Sequence, residues 1–155
     1  SYVYYGGEIG MIGQGNDPNK RIGMYWTTLP EVTACPPGTT EASYPLGSVT
    51  EQEADANSLL SYVRCAMNVR NAVPEIARGT TTIVPTADTE VCVMERTWED
   101  RTVTIVLNLS DSDKTMQLSA ASLLASLDAD CERGEGIAYD GQTLKIDAWG
   151  IAVLA

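Results

Sequence analysis

The stretch Glu90-Val91-Cys92-Val93-Met94-Glu95-Arg96-Thr97-Trp98-Glu99-Asp100-Arg101-Thr102-Val103-Thr104-Ile105-Val106-Leu107-Asn108-Leu109 reads as two β-strands joined by a tight turn. Side chains of a strand alternate between the two faces of its sheet. In the second run Val103, Ile105, Leu107 and Leu109 share one face, with Thr102, Thr104 and Asn108 opposite. In the first, Val91, Val93 and Met94 mark the apolar sites, and Trp98-Glu99-Asp100-Arg101 is the turn. Upstream, Thr80 to Val84 is a β-branched run. Downstream, Asp111-Ser112-Asp113-Lys114 is a second turn, leading into Thr115 to Leu118. Ser119 to Leu127 fits a helix or a strand equally well. Asp140-Gly141 is a hairpin signal between Ile137–Tyr139 and Thr143–Ile146, and Ile151 and Val153 alternate in the closing run Trp149 to Leu154. Short strands separated by turn chemistry predict an antiparallel β-sandwich.

The pattern changes ahead of Pro74. Leu59, Leu60, Val63, Met67 and Arg70 recur at helical spacing and predict a helix over 58–71, with Cys65 and Ala66 widening the stripe. Asp55, Asn57 or Ser58 can cap its start, and Pro74 prevents its continuation. Residues 11–50 have no sustained period and carry Gly13, Gly15, Pro18, Pro30, Cys35-Pro36-Pro37-Gly38 and Pro45. A loop that long is expected to be functional or packed on another surface. Tyr2-Val3-Tyr4-Tyr5 reads as a strand that stops at Gly6-Gly7.

Composition narrows the function classes. The 155 residues suffice for one ordinary domain and an appendage, and a 44% hydrophobic content can fill a core. Acidic residues outnumber basic ones 21 to 10, and the charge of −11 opposes partnership with nucleic acid or an anionic membrane. No apolar run is long enough for a transmembrane helix. The chain has no His, which removes the usual general base near neutral pH and the commonest zinc ligand. Cys35, Cys65, Cys92 and Cys131 include no C-x-x-C pair. Cys65 and Cys92 read as small buried hydrophobes, while Cys35 and Cys131, in loops, could pair. Asp111-Ser112-Asp113 and Asp128-Ala129-Asp130 lack the spacing, glycine and closing Glu of an EF-hand, so solvated turns are expected there. Neither a metal nor a cofactor is expected.

Residues 4–26 carry a more specific message. Tyr4, Tyr5, Gly6, Glu8, Ile9 and Gly10, followed by Gly15, Asn16, Asp17, Pro18, Arg21, Met24 and Trp26, resemble the end of the catalytic barrel in the alpha-amylase family of glycoside hydrolases, especially its cyclodextrin- and pullulan-acting branch. Gly7 stands where that family usually has an acidic residue, and Gly23 where it usually has Pro. Residues 57–79 look like the last barrel helix and its exit, and the remainder like the family's C-terminal β-domain, domain C. The resemblance implies a mainly β chain. A remnant of a (β/α)8 barrel with one helix spans residues 1–75 (strand 1–5, long loop, helix 58–71), and an antiparallel Greek-key β-sandwich spans 76–155.

The same resemblance sets functional expectations. Retaining glycosidases of this kind need two carboxylates roughly 5–5.5 Å apart. The family's nucleophile, acid/base and third carboxylate lie on barrel strands four, five and seven, upstream of anything matched here. No catalytic residue is therefore expected in this chain, and Glu8 has a structural role at the barrel rim. The chain reads as a C-terminal piece of a starch- or maltooligosaccharide-acting hydrolase, inactive alone, that completes and stabilises the barrel. Asp17 and Arg21 match positions that contact a glucose in the intact protein; by spacing alone they are an i, i+4 ion pair. Trp98, Tyr139 and Trp149 could offer rings to sugar, Trp98 foremost at its hairpin tip, or could simply pack within the sandwich. The expected partner is an α-glucan, reached through the upstream barrel. A homo-oligomer could form through apolar surface around Tyr2 to Tyr5 and around Leu59, Leu60, Val63 and Met67. The acidic composition fits a bacterial extracellular or cell-surface protein, with a cytoplasmic location left open. The alternatives are a carbohydrate-binding β-sandwich module and a structural or interaction domain.

Overall fold

A computed structural model describes residues 3–27, 34–127 and 136–155. The chain divides into two compact units, Ser1–Arg64 and Cys65–Ala155.

The first unit is mostly irregular chain. It holds two 3₁₀ turns, Gly7–Ile9 and Pro18–Arg21, and a short helix α1, Val49–Ala54. Its one β-bridge among the described residues joins Ile12 and Ser43. Ser48 and Glu51 form a capping box on α1: the Ser48 hydroxyl accepts from the Glu51 amide, and the Glu51 carboxylate accepts from the Ser48 amide. Those bonds hold the Glu51 carboxyl below its ordinary range. The strand expected at residues 2–5 is not formed over Val3 to Tyr5. A strand needs a neighbouring strand for its amides and carbonyls, and among the described residues none pairs with these: the Tyr4 carbonyl accepts from the Gly7 amide instead, and Val3 is 62% exposed and Tyr4 58%. Tyr2 lies outside the described residues.

Helix α2, Leu59–Ala72, matches the expected helix within one residue at each end and runs across the division between the units. Ser58 supplies the cap, its hydroxyl accepting from the Ser61 amide and donating to the Gln52 carbonyl. No residue of α2 is fully buried, and Met67 on its apolar stripe is 41% exposed. Val73 breaks the helix in an extended conformation ahead of Pro74, as a residue before proline favours, and Pro74 opens helix α3, Pro74–Arg78. The C-terminal half of α2 packs on the sandwich through Val69.

In the second unit the strands are β1 Thr80–Val84, β2 Val91–Trp98, β3 Arg101–Asn108, β4 Lys114–Gln117, β5 Leu123–Leu127, β6 Ala138–Tyr139, β7 Thr143–Ile146 and β8 Ile151–Leu154. They form an antiparallel five-stranded sheet in the order β1-β2-β3-β8-β5 and a three-stranded sheet in the order β4-β7-β6. The chain leaves β3 for the second sheet, returns as β5, crosses again, and ends as β8 between β3 and β5. The ambiguous run 119–127 becomes a strand because β8 offers it an edge; Ala121 and Ser122 also donate to the Ala155 carbonyl. At the Asp140-Gly141 hairpin the Asp140 carboxylate accepts from the Gln142 and Thr143 amides, and Gly141 takes φ 98°.

The five-stranded sheet is covered on both faces. Val91, Val93, Val106, Ala152 and Leu154 pack with Ile137, Leu144 and Ile146, forming the core of the sandwich. Val103 and Val153 pack instead with Val69, Val73 and Ile76. This corrects the reading of β3 as apolar on one face: Val106 and Asn108, on the supposed polar side, are both buried. Burying a side chain of this size contributes about 1.5–3 kcal/mol. Cys65 and Cys92 are half-buried rather than buried, and both are free thiols, as is Cys35. Cys131, with which Cys35 could pair, and the Asp128-Ala129-Asp130 turn lie outside the described residues. Among the described residues no helix is long and apolar enough to cross a membrane.

Candidate functional site

Asp17 stands just ahead of the 3₁₀ turn Pro18–Arg21, Arg21 ends it, and the two side chains form an ion pair with each other. The Arg21 side chain is 50% exposed and that of Asp17 73%. Such a pair contributes at most about 1 kcal/mol to stability, so the groups remain available to a ligand.

The turn beneath them is built far more firmly than the pair. Asn19 is 3% exposed, and its Oδ1 accepts from the Thr40 and Glu41 amides at 2.9 and 3.2 Å. Its Nδ2 donates to the Gln14 carbonyl at 2.9 Å and to Thr40 Oγ1 at 3.2 Å. The Asn19 amide donates to Asn16 Oδ1, and Asn16 Nδ2 donates to the Gly38 carbonyl. Buried backbone groups outside regular structure need such side-chain partners. Gly13 is obligatory here, because a Cβ on it would lie 1.8 Å from the Asn19 carbonyl oxygen.

The chain after the turn is pinned by tyrosines. Tyr5 Oη donates to the Ile22 carbonyl at 3.2 Å and Tyr44 Oη to the Gly23 carbonyl at 2.7 Å. The Tyr25 and Tyr44 rings lie 4.9 Å apart. Gly23, the departure from the usual Pro, has a use in this chain: its amide donates to Cys35 Sγ at 3.4 Å, a bond that Pro cannot make. Burial, followed by the neighbouring Cys35, pushes the Tyr44 phenol up to about 12; burial, followed by Tyr4, also raises Tyr5. Gln52, 3% exposed, closes the framework by donating to the Ile9 carbonyl and accepting from the Leu60 amide. Glu8 stands on the first 3₁₀ turn, one carboxylate oxygen buried without a hydrogen-bond partner among the described residues.

The three aromatic candidates part ways. Trp98 is half-buried at the end of β2, with the Arg78 guanidinium 5.0 Å from its ring centre, so a cation already occupies one face. Tyr139 Oη accepts from the Ala120 amide at 2.9 Å and lies 3.1 and 3.0 Å from the Leu118 and Ala120 carbonyls, which ties it to the sandwich. Trp149 alone of the three is exposed, at 54%. Sequence reasoning missed Asn19, Tyr44 and Gln52 because nothing marks a loop Asn, Tyr or Gln as a buried hub until the segments it joins are known.

No protein-family model matches the chain, and no curated protein sequence does. Solved structures do. The chain is similar to Eubacterium rectale Amy13B, with a TM-score of 0.89 and 29% identity, over 97% of this chain and 30% of that one. It is also similar to an alpha-amylase from H. orenii, with a TM-score of 0.77 and 24% identity over 98% of this chain and 31% of that one. An alpha-glucosyl transfer enzyme, XgtA, matches 84% of this chain and 24% of its own, with a TM-score of 0.61 and 24% identity. The chain thus spans less than a third of the length of these neighbours. Its sandwich has the fold of domain C in amylase-type enzymes.

Proposed function

We propose that this chain is the part of an alpha-amylase-family retaining glycoside hydrolase that completes the catalytic barrel and carries domain C. The observation that carries the reading is the TM-score of 0.89 over 97% of the chain, together with the ordered motif residues at 4–26. The substrate class is an α-glucan of the starch or maltooligosaccharide type, and the motif favours the cyclodextrin- and pullulan-acting branch. The nucleophile and acid belong to a preceding part of the protein. This chain supplies Asp17 and Arg21, whose carboxylate and planar guanidinium suit paired sugar hydroxyls at the edge of the cleft. The exposed rings of Tyr4 and Tyr5 and the exposed Met67 belong to surfaces that pack on that preceding part, or on a second copy where it is lacking. The acidic charge of −11 is in keeping with a secreted or cell-surface bacterial protein.

The test compares the chain with the longer gene product on maltooligosaccharides. The longer protein is expected to hydrolyse them with retention of anomeric configuration, and the chain alone to be inactive. Turnover by the purified chain would overturn the non-catalytic role, and inactivity of the longer protein on all α-glucans would overturn the family reading.

A further inference from the structure

Trp149 has φ 60°, a left-handed conformation that Gly and Asn adopt readily and a bulky side chain does not. Nothing in the core requires the ring, since the residue is 54% exposed. The turn beneath it is nevertheless rigidly built. The Trp149 amide donates to the Ser110 carbonyl at 3.1 Å, and the Asn108 amide to the Gly150 carbonyl at 3.0 Å. Asn108, 2% exposed, also donates through Nδ2 to the carbonyls of Asp147 and Ser112 at 2.7 and 2.8 Å. A Cβ on Gly150 would lie 2.4 Å from Asp147 Oδ1, so the backbone approach is close. The result is an indole held outward on a fixed support at a site where a smaller residue would fit more easily. Strain retained at an exposed side chain is a mark of use rather than of folding.

The surroundings select the ligand. Leu109, also 54% exposed, precedes Ser110 just past the end of β3, and two such side chains are too little apolar surface for a protein-docking face. Asp111 and Asp113 are exposed on the turn between β3 and β4, whose Ser110 carbonyl accepts the Trp149 amide, and they offer hydrogen-bond acceptors while repelling anions. An exposed flat ring, on a turn hydrogen-bonded to one that carries two carboxylates, suits a neutral polyol with one apolar face, which describes a pyranose ring. We propose that Trp149 is a carbohydrate-binding site of the second unit, on which a glucose residue of a linear α-glucan stacks. The choice of an α-glucan rests on the function proposed above.

The test is titration of this chain with maltoheptaose, followed by isothermal titration calorimetry, whose signal does not depend on the residue substituted. A saturable change at millimolar sugar is expected, and Trp149→Gly weakens it by at least about tenfold. Because Gly accepts the left-handed backbone, Trp149→Gly is expected to keep or raise the urea midpoint, which separates lost binding from lost folding. Trp98→Phe leaves binding unchanged. Undiminished binding by Trp149→Gly overturns the proposal, as does the absence of saturable binding by the unsubstituted chain. Equal binding of cellohexaose would overturn the α-glucan assignment inherited from the proposed function and leave the ring site standing, so the two failures are distinguishable.

Discussion

The Glu75 carboxylate lies 2.9 Å from Arg101 Nε, with the Glu75 side chain 1% exposed and that of Arg101 63%. The contact is ionic without hydrogen-bond alignment, since neither Glu75 oxygen has a hydrogen-bond partner among the described residues. Helix α3, which carries Glu75, is held to the β2–β3 hairpin by further contacts. Arg96 donates to the Glu75 and Ile76 carbonyls, and Arg78 lies over Trp98. A buried carboxylate whose one ion-pair partner among the described residues is exposed is poorly compensated.

Removing the cation is therefore expected to cost more than its exposure suggests. Arg101→Ala should lower stability by about 1–3 kcal/mol, and Glu75→Gln should recover most of that loss in the double variant. Urea unfolding of the four proteins measures the coupling; additive effects would show that the pair does not interact.

The Asn19 hub makes a second expectation. Asn19→Ala removes the acceptor of the Thr40 and Glu41 amides and should cost about 0.5–1.5 kcal/mol for each hydrogen bond lost. Gly13→Ala, whose Cβ would meet the Asn19 carbonyl at 1.8 Å, should be at least as damaging. Gly15→Ala tests the specificity of the effect, because its nearest neighbour is Asn19 Nδ2 at 3.9 Å and only its φ of 74° opposes substitution. Thermal unfolding should rank Gly13→Ala well below Gly15→Ala.

Tyr44 sets an alkaline limit. Its folded pKa of about 12 lies above the ordinary value of 10.0, so the folded state holds a proton that the unfolded state releases first. The stabilisation is complete below about pH 10 and is lost as pH rises through the folded value. Tyr5 shifts in the same direction. Urea midpoints should fall across this range, and Tyr44→Phe should flatten the fall in part. The same variant loses the bond to the Gly23 carbonyl and should be less stable at neutral pH by about 0.5–1.5 kcal/mol.

Asp17 and Arg21 are expected to separate stability from function. Either alanine substitution should change the stability of this chain by less than about 1 kcal/mol, as exposed pairs do. In the longer protein the same substitutions should lower kcat/KM on maltooligosaccharides, chiefly through KM. Steady-state kinetics that leave KM untouched would remove these residues from the sugar site.

The strands were legible because their cause is local. The alternation around Val103 and Ile105 and the Asp140-Gly141 turn identify a sandwich without further help. Helix α2 was legible for the same reason, through its period and the position of Pro74. Val3 to Tyr5 were misread because β-propensity supplies a suitable side-chain pattern but no neighbouring strand to pair with. The second buried face of β3, at Val106 and Asn108, was hidden because it depends on what covers the sheet, and a sheet face has no signature for its cover.

By itself the sequence determined the class of fold, the motif at 4–26 with its amylase-like resemblance, and a net charge of −11 that opposes polyanionic partners. Each of these depends on short-range order or on a sum over the chain. The tertiary structure alone decided that Asp17 pairs with Arg21 above an Asn19 hub, that Arg78 covers one face of Trp98, and that Trp149 stands outward in a left-handed turn. Those outcomes depend on which distant segments meet, and burial and hydrogen-bond satisfaction are settled only when they do.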